Sequence, residues 1–181
     1  THTRYEQEAG FHLITGGFGA LGQVMLRWYF DQGERRFLLL GRRPASQQAM
    51  EAMEALCSQG ATIIVERLDV ADAGRLDETI ERAARQLGPL TCISHAAGVL
   101  HSGALEGMTL AGFLDGVRAK REGAWNLHQA SLRWPVRRFL LVSSVSSLFG
   151  FPGHAAYASG NAYLDGLAEY RLSQGLPAIS A

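Results

Sequence analysis

The sequence predicts an α/β chain built on a doubly wound parallel sheet with helices on both faces. Three observations predict it. Apolar runs of strand length alternate with longer segments of helical period. The run from Thr15 to Gly22 is rich in glycine and lies where a first strand hands over to a first helix. A later segment, residues 143–161, follows the apolar stretch 139–142 and sets serine hydroxyls, a tyrosine hydroxyl and an asparagine amide in one short run. Alternation of this kind implies a parallel sheet covered on both sides, and right-handed crossovers make it Rossmann-type.

The elements follow in order. Residues 11–14 form the first strand, and residues 21–33 the first helix, with Leu21, Val24, Met25, Trp28 and Tyr29 on one face. Residues 36–40 are the second strand, ended by Gly41. Ser46 caps a helix running to about Gly60, because its hydroxyl can accept an orphan N–H of the first turn. Residues 61–65 make the third strand, residues 73–88 a helix, and residues 90–94 the fourth strand. After a loop over 100–108, a helical stretch spans 109–133 with a break expected near Gly116. Residues 139–142 are the fifth strand and 155–173 a long helix. Residues 176–181 stop where a new strand begins, so the sheet is expected to be truncated at its C-terminal edge. With a start on Thr1 rather than methionine, the chain reads as a piece of something longer. Residues 1–181 are read as one domain, with 1–10 linker-like.

Bulk properties narrow the function. At 181 residues and 47% hydrophobic content the chain can bury a real core. Acidic and basic residues balance at 17 each, which argues against a nucleic-acid or anionic-lipid partner recognised by overall charge. No stretch approaches the roughly 20 apolar residues of a membrane span. Cys57 and Cys92 sit in apolar contexts and are read as two buried thiols in a reducing, cytoplasmic setting. The histidines show no metal-ligand spacing.

The spacing Gly17-x-Gly19-x-x-Gly22 gains meaning from its place between strand and helix. Glycines let the backbone approach a pyrophosphate, and the helix N-terminus offers N–H donors. Thr15, Gly16, Gly17, Gly19, Leu21 and Gly22 are therefore the phosphate-loop candidates. After the second strand, where an NAD site tends to carry a carboxylate, stand Arg42 and Arg43. Paired guanidinium donors suit a 2′-phosphate and favour NADPH; a solvated surface pair is the alternative. Asp69 and Val70 are placed to meet the adenine, and His95, Ala96, Ala97 and Gly98 to pass beside the cofactor.

Tyrosine, with a pKa near ~10, is a sluggish proton donor until a nearby ammonium lowers that value. The usual dehydrogenase pattern places a lysine four residues after the tyrosine, where this chain has Asn161. Lys120 is the only lysine among the 17 basic residues. Ser144, thirteen residues before Tyr157, is the candidate for the carbonyl-binding hydroxyl; Ser143 competes, since a one-residue slip on a strand flips the side chain.

From about Gly10 onward the chain resembles the catalytic half of a ketoreductase domain of a modular polyketide synthase, a branch of the short-chain dehydrogenase/reductase superfamily. That family exchanges the lysine and asparagine, and the run from Lys120 through Gly123 to Trp125-Asn126-Leu127-His128 is similar to its lysine segment. The resemblance implies that Ser144 polarises a substrate carbonyl, NADPH delivers hydride and Tyr157 gives a proton. Lys120 would tune Tyr157, while Asn161 would hold a water or orient the lysine. It implies a β-ketoacyl chain tethered through phosphopantetheine to an acyl carrier protein. It further implies an upstream structural subdomain and a C-terminal lid region, both expected to lie outside these residues. The family's acidic element for D-type alcohols is matched here by Leu100-His101-Ser102, without an acid. Phe149 stands where L-type enzymes carry tryptophan, and His154 fits a histidine of that type, though it could equally cap the helix or sit at the cleft wall. These tilt the expectation toward an L-configured product, with Phe149 and His154 orienting substrate. A stand-alone alcohol dehydrogenase for a small ketone and a non-catalytic scaffold domain are the alternatives.

Overall fold

Residues 10–100 and 103–181 are described by the structure, a computed structural model. The strands are β1 (Phe11–Thr15), β2 (Arg36–Gly41), β3 (Thr62–Arg67), β4 (Leu90–His95), β5 (Arg138–Leu141) and β6 (Ile179–Ser180). The helices are α1 (Ala20–Asp31), α2 (Gln47–Ser58), α3 (Ala73–Leu87), α4 (Leu110–Arg118), α5 (Ala124–Ser131), α6 (Ser146–Phe149) and α7 (Ala155–Ser173). The expected loop 100–108 contains a 3₁₀ turn, Leu105–Gly107. All strand pairs are parallel, in the order β3-β2-β1-β4-β5-β6. The order reverses between β1 and β4, and a crevice opens there at the carboxyl ends of the strands.

Period-two alternation assigns the strand side chains to two cores. Phe11 and Leu13 of β1, with Leu38 and Leu40 of β2, pack against Leu76 and Ile80 of α3, Leu127 of α5 and Leu164 of α7. Ile14, Phe37 and Leu39 face the other way, against Leu26, Tyr29 and Phe30 of α1 and Met53 and Leu56 of α2. Burying both faces of β1 and β2 explains why these strands read as continuous apolar runs. Ser46 caps α2 as expected, its hydroxyl accepting from the Ala49 N–H at 3.2 Å. Asp72 caps α3 and Thr109 caps α4 in the same way.

Several expectations are corrected. The buried face of α1 is Gly22, Leu26, Tyr29 and Phe30, whereas Leu21, Val24 and Trp28 are exposed. Gly22 sets this rotation, because a Cβ there would collide with the Gly16 carbonyl oxygen, so position 22 must face the loop. Residues at i, i+4 and i+7 from it then turn inward and the opposite stripe turns outward. Cys57 is exposed and only Cys92 is buried; α2 presents Ala49, Met53 and Leu56 to the core, which leaves Cys57 on the outer side. The long helical stretch changes pitch over Ala119–Gly123, a π-helical turn, rather than near Gly116. β3 runs on to Arg67, and the short α6 follows the serines.

Candidate active site

A cleft of about 770 Å³ opens at the carboxyl ends of β1, β2 and β4. Of the cofactor-binding candidates, Thr15, Gly16, Gly19, Arg42, Arg43, Asp69, Val70, Ala96, Ala97 and Gly98 line it. Gly16 has φ +67°, a left-handed conformation that glycine adopts without penalty, and a Cβ there would approach the Ala96 carbonyl to 2.8 Å. Gly19 is the N-cap of α1 and is nearly free of crowding, its nearest neighbour being the Gly16 oxygen at 3.4 Å from an added Cβ. The helix therefore begins at the cleft wall with bare backbone. Phe18 and Ser46 line the same wall, though the sequence pattern marks Ser46 only as a helix cap and Phe18 not at all.

Four of the cofactor candidates stand behind this wall. Gly17 packs on Leu39, and Gly22 lets α1 approach the loop. Leu21 is half exposed on α1. His95 is fully buried at the end of β4. Its Nδ1 lies 2.7 Å from Thr15 Oγ1 and its Nε2 lies 3.1 Å from the Ala119 carbonyl oxygen. A carbonyl only accepts, so Nε2 carries the hydrogen and Nδ1 accepts from the threonine hydroxyl. Burial, with the Lys120 charge adding to it, pushes the imidazole down to about 3, so it is neutral. Asp69 has both oxygens engaged, one by the Ala71 N–H at 3.0 Å and the other by Arg118 Nη1 at 2.8 Å.

At the end of β5 the chain brings together its hydroxyls and its one lysine. Lys120 sits in the π turn and is 6% exposed. Its stem runs between Gly98 and Gly160, where added Cβ atoms would lie 3.0 Å from Cε and 3.1 Å from Cδ. The ammonium donates to the Val142 carbonyl at 2.8 Å and lies 5.6 Å from the centre of the Tyr157 ring. Burial lowers its pKa from 10.5 to about 8, and the Asp165 carboxylate acts in the opposite sense. Burial alone would raise Asp165. The hydroxyls of Ser147, Ser180 and Ser143, together with the Lys120 charge, hold it below its usual range.

The two rival serines separate by their partners. Ser143 Oγ faces the Asn161 carbonyl at 3.3 Å and also the Asp165 carboxylate. Ser144 Oγ instead accepts the Ser146 N–H at 3.2 Å. An oxygen fixed as acceptor keeps its own hydrogen available to donate. Asn161 is fully buried; its Nδ2 donates to Ser146 Oγ at 2.9 Å, and its Oδ1 has no partner among the described residues. A buried acceptor without a donor costs about 1–3 kcal/mol, which marks the spot as one suited to a water or a cation. Phe149, beside Leu148, is exposed on α6, and His154 occupies the N-cap position of α7. His101 and Ser102, expected to mark the hydroxyl direction, lie outside the described residues.

Ser146, Gly160, Asp165 and Ser180 are members of this cluster that sequence reasoning passed over. The spacing Tyr157, Asn161, Asp165 runs down one face of α7 and would have found the aspartate. Elsewhere, His12, Glu34 and Cys92 bring ligand-type atoms within 4.8 Å of one another. Arg138 donates from Nε to Cys92 Sγ at 3.3 Å and from Nη2 to Glu34, so a guanidinium supplies the positive charge among them.

Comparison with known proteins gives the family and the fold. The KR domain family model matches residues 10–181. The chain is 35% identical over 173 residues to the reducing polyketide synthase PKS2 of Cochliobolus heterostrophus, a match covering 95% of this chain and 8% of that protein. It is 37% identical over 170 residues to the phenolphthiocerol synthesis polyketide synthase Pks15/1 of Mycobacterium marinum, covering 93% and 8%. Among solved structures, the ketoreductase of the first phoslactomycin module from Streptomyces sp. HK803 superposes with a TM-score of 0.89 at 36% identity. That superposition covers 94% of this chain and 40% of the other. A carveol dehydrogenase of Mycobacterium avium, solved in complex with NAD, shares the fold at 18% identity and a TM-score of 0.82, covering 91% and 65%. The chain belongs to the KR, or ketoreductase, domain family, a branch of the short-chain dehydrogenase/reductase oxidoreductases. It spans about 8% of the length of the curated polyketide synthases it matches. No helix among the described residues is long and apolar enough to cross a membrane.

Proposed function

We propose that this chain reduces the β-keto group of an acyl thioester, tethered through phosphopantetheine to an acyl carrier protein, to the β-hydroxyacyl thioester during polyketide assembly in the cytoplasm. NADPH is the reductant. The observation that carries the reading is the Lys120 ammonium, buried 5.6 Å from the Tyr157 ring at the end of the strand that leads into Ser144.

The cleft fits a dinucleotide. The left-handed Gly16 and the open Gly19 leave room for a pyrophosphate, and the unpaired N–H groups of the first turn of α1 are its donors. Arg42 and Arg43 line the wall after β2, where two guanidinium groups can grip a 2′-phosphate. When bound, the nicotinamide supplies the hydride that becomes the new C–H bond.

The chain's own residues do the rest. Ser144 donates its free hydrogen to the substrate carbonyl and steadies the negative charge that grows on that oxygen. Tyr157 passes its phenolic proton to the same oxygen as the alcohol forms. The Lys120 ammonium, 5.6 Å from the ring centre, balances the charge of the phenolate left behind. Asn161 holds a water or the lysine through its unpartnered Oδ1. Leu148, Phe149 and Phe151 give an exposed apolar surface beside the serine loop for the acyl chain. With His154, Phe149 orients the chain so that the hydroxyl is L-configured.

The test is spectrophotometric. NADPH oxidation with a β-ketoacyl-N-acetylcysteamine thioester should require Tyr157, and Tyr157→Phe should lower the rate by at least ~100-fold. Cofactor binding without turnover of this thioester or a carrier-bound one would leave a non-catalytic scaffold. Turnover confined to a free small ketone would instead point to a stand-alone alcohol dehydrogenase.

A further inference from the structure

His95 touches neither the cleft nor the reacting atoms, yet it is the side chain that joins three parts of the site. One ring nitrogen takes the Thr15 hydroxyl at the end of β1, and that hydroxyl oxygen also accepts the Ala97 N–H at 3.3 Å. The other nitrogen reaches across to α-helical territory and donates to the carbonyl of Ala119, the first residue of the π turn. Lys120 is the next residue. A π turn departs from the regular helical ladder and is sustained where tertiary contacts hold it, often at functional sites. Around this bridge the packing leaves little slack. A Cβ on Gly123, the last residue of the turn, would lie 3.5 Å from His95 Cε1, and one on Gly98 would lie 3.0 Å from Lys120 Cε.

We propose that His95 is a positioning residue that pins the π turn through the Ala119 carbonyl and thereby fixes where the Lys120 ammonium stands. This goes beyond the proposed reaction and rests on that reading only for its consequence, that Lys120 tunes Tyr157. An imidazole suits the task because it bridges a donor and an acceptor on opposite sides of one rigid ring. Held neutral by burial, it adds no charge of its own beside the lysine. The groups facing Lys120 from neighbouring elements are Tyr157 and Asp165 on α7 and His95 on β4. Arg118, Arg121 and Glu122 flank it on its own stretch.

Lys120 is the one lysine in these 181 residues, and in ¹³C,¹⁵N-lysine-labelled protein its side-chain amine signal is assigned by its loss in Lys120→Arg. We expect that signal to titrate near 8 in the wild type. His95→Phe keeps a ring of similar size, removes both hydrogen bonds and changes no charge. It should move the Lys120 titration upward by at least about one unit, toward the ordinary lysine value of about 10.4, because the ammonium slips toward solvent. His95→Gln, which retains a donor and an acceptor, should fall between the two. A His95→Phe protein that melts cooperatively and titrates at Lys120 as the wild type does would overturn the proposal. Should His95→Phe not fold, Thr15→Val removes the hydroxyl that holds Nδ1, which is also the acceptor of the Ala97 N–H. It should shift the signal in the same direction by less, and an unchanged titration in that folded variant overturns the proposal equally. The readout needs no turnover, so it separates failure of this inference from failure of the proposed reaction.

Discussion

Lys120→Met should make the protein more stable while abolishing its chemistry. The ammonium is 6% exposed, and its pKa falls from 10.5 to about 8 because burial penalises the charge. At about 1.4 kcal/mol per unit, holding this charge in the folded state at neutral pH costs about 3 kcal/mol. Methionine fills the passage between Gly98 and Gly160 with a stem of similar length and no charge. It also leaves the Val142 carbonyl without its donor, which returns roughly 1–2 kcal/mol of the gain. The net expectation at pH 7 is a variant more stable by about 1–2 kcal/mol. The sign with pH follows from linkage. Between the folded value of about 8 and the unfolded one near 10.4 the unfolded chain binds more protons, so wild-type stability rises with pH across that window. The variant lacks this rise, and its advantage should shrink by about 2 kcal/mol between pH 7 and 9.5. Urea unfolding of both proteins at the two pH values measures the difference, and titrations elsewhere in the chain cancel in the comparison. A variant less stable than wild type at pH 7, or a gap that does not change with pH, would refute the reasoning.

Further outcomes follow from the same geometry. Ser144→Ala should lower kcat by roughly 100- to 1,000-fold with little change in KM, since it removes a donor aimed at developing charge; an equal loss in Ser143→Ala would reverse the assignment of the two serines. Replacing Arg42 and Arg43 with alanine should raise the KM for NADPH by about 10- to 100-fold and leave NADH kinetics nearly unchanged, as expected for lost charge-assisted hydrogen bonds. Gly22→Ala should abolish dinucleotide binding measured by fluorescence and lower the melting temperature, because its Cβ meets the Gly16 oxygen, whereas Gly19→Ala should fold normally. Cys57 should react with a thiol reagent in the native protein and Cys92 only after unfolding.

The sequence carried much of this arrangement because its signals are local. Alternating apolar runs located five strands and the region of the sixth, and strand–glycine–helix spacing located the cleft wall, since both depend on neighbours along the chain. Ser144 and Tyr157 stood out for the same reason, lying thirteen residues apart in one short run of polar groups. What stayed illegible depends on contacts between distant segments. The rotation of α1 follows from Gly22 against the Gly16 carbonyl, and an apolar stripe of Leu21, Val24 and Trp28 gives the opposite answer when read alone. His95 reads as a cleft residue from its motif, but its two partners lie eighty residues upstream and twenty-four downstream. The π turn at Lys120 has no signature in periodicity, because one added residue per turn is invisible until the helix is seen against β4 and α7. Asp165 was legible in principle from its spacing to Tyr157 and Asn161; its meaning needed Ser143, Ser147 and Ser180 from other elements.

The most direct measurement follows an isotope rather than an absorbance. NADPH deuterated at C4 of the nicotinamide, incubated with the protein and a β-ketoacyl thioester, should yield a β-hydroxyacyl thioester bearing one deuterium on its β-carbon by mass spectrometry. The transfer should vanish in Tyr157→Phe. A product without deuterium, or no product while the protein demonstrably binds NADPH, would contradict the assignment of this site as a β-ketoacyl reductase.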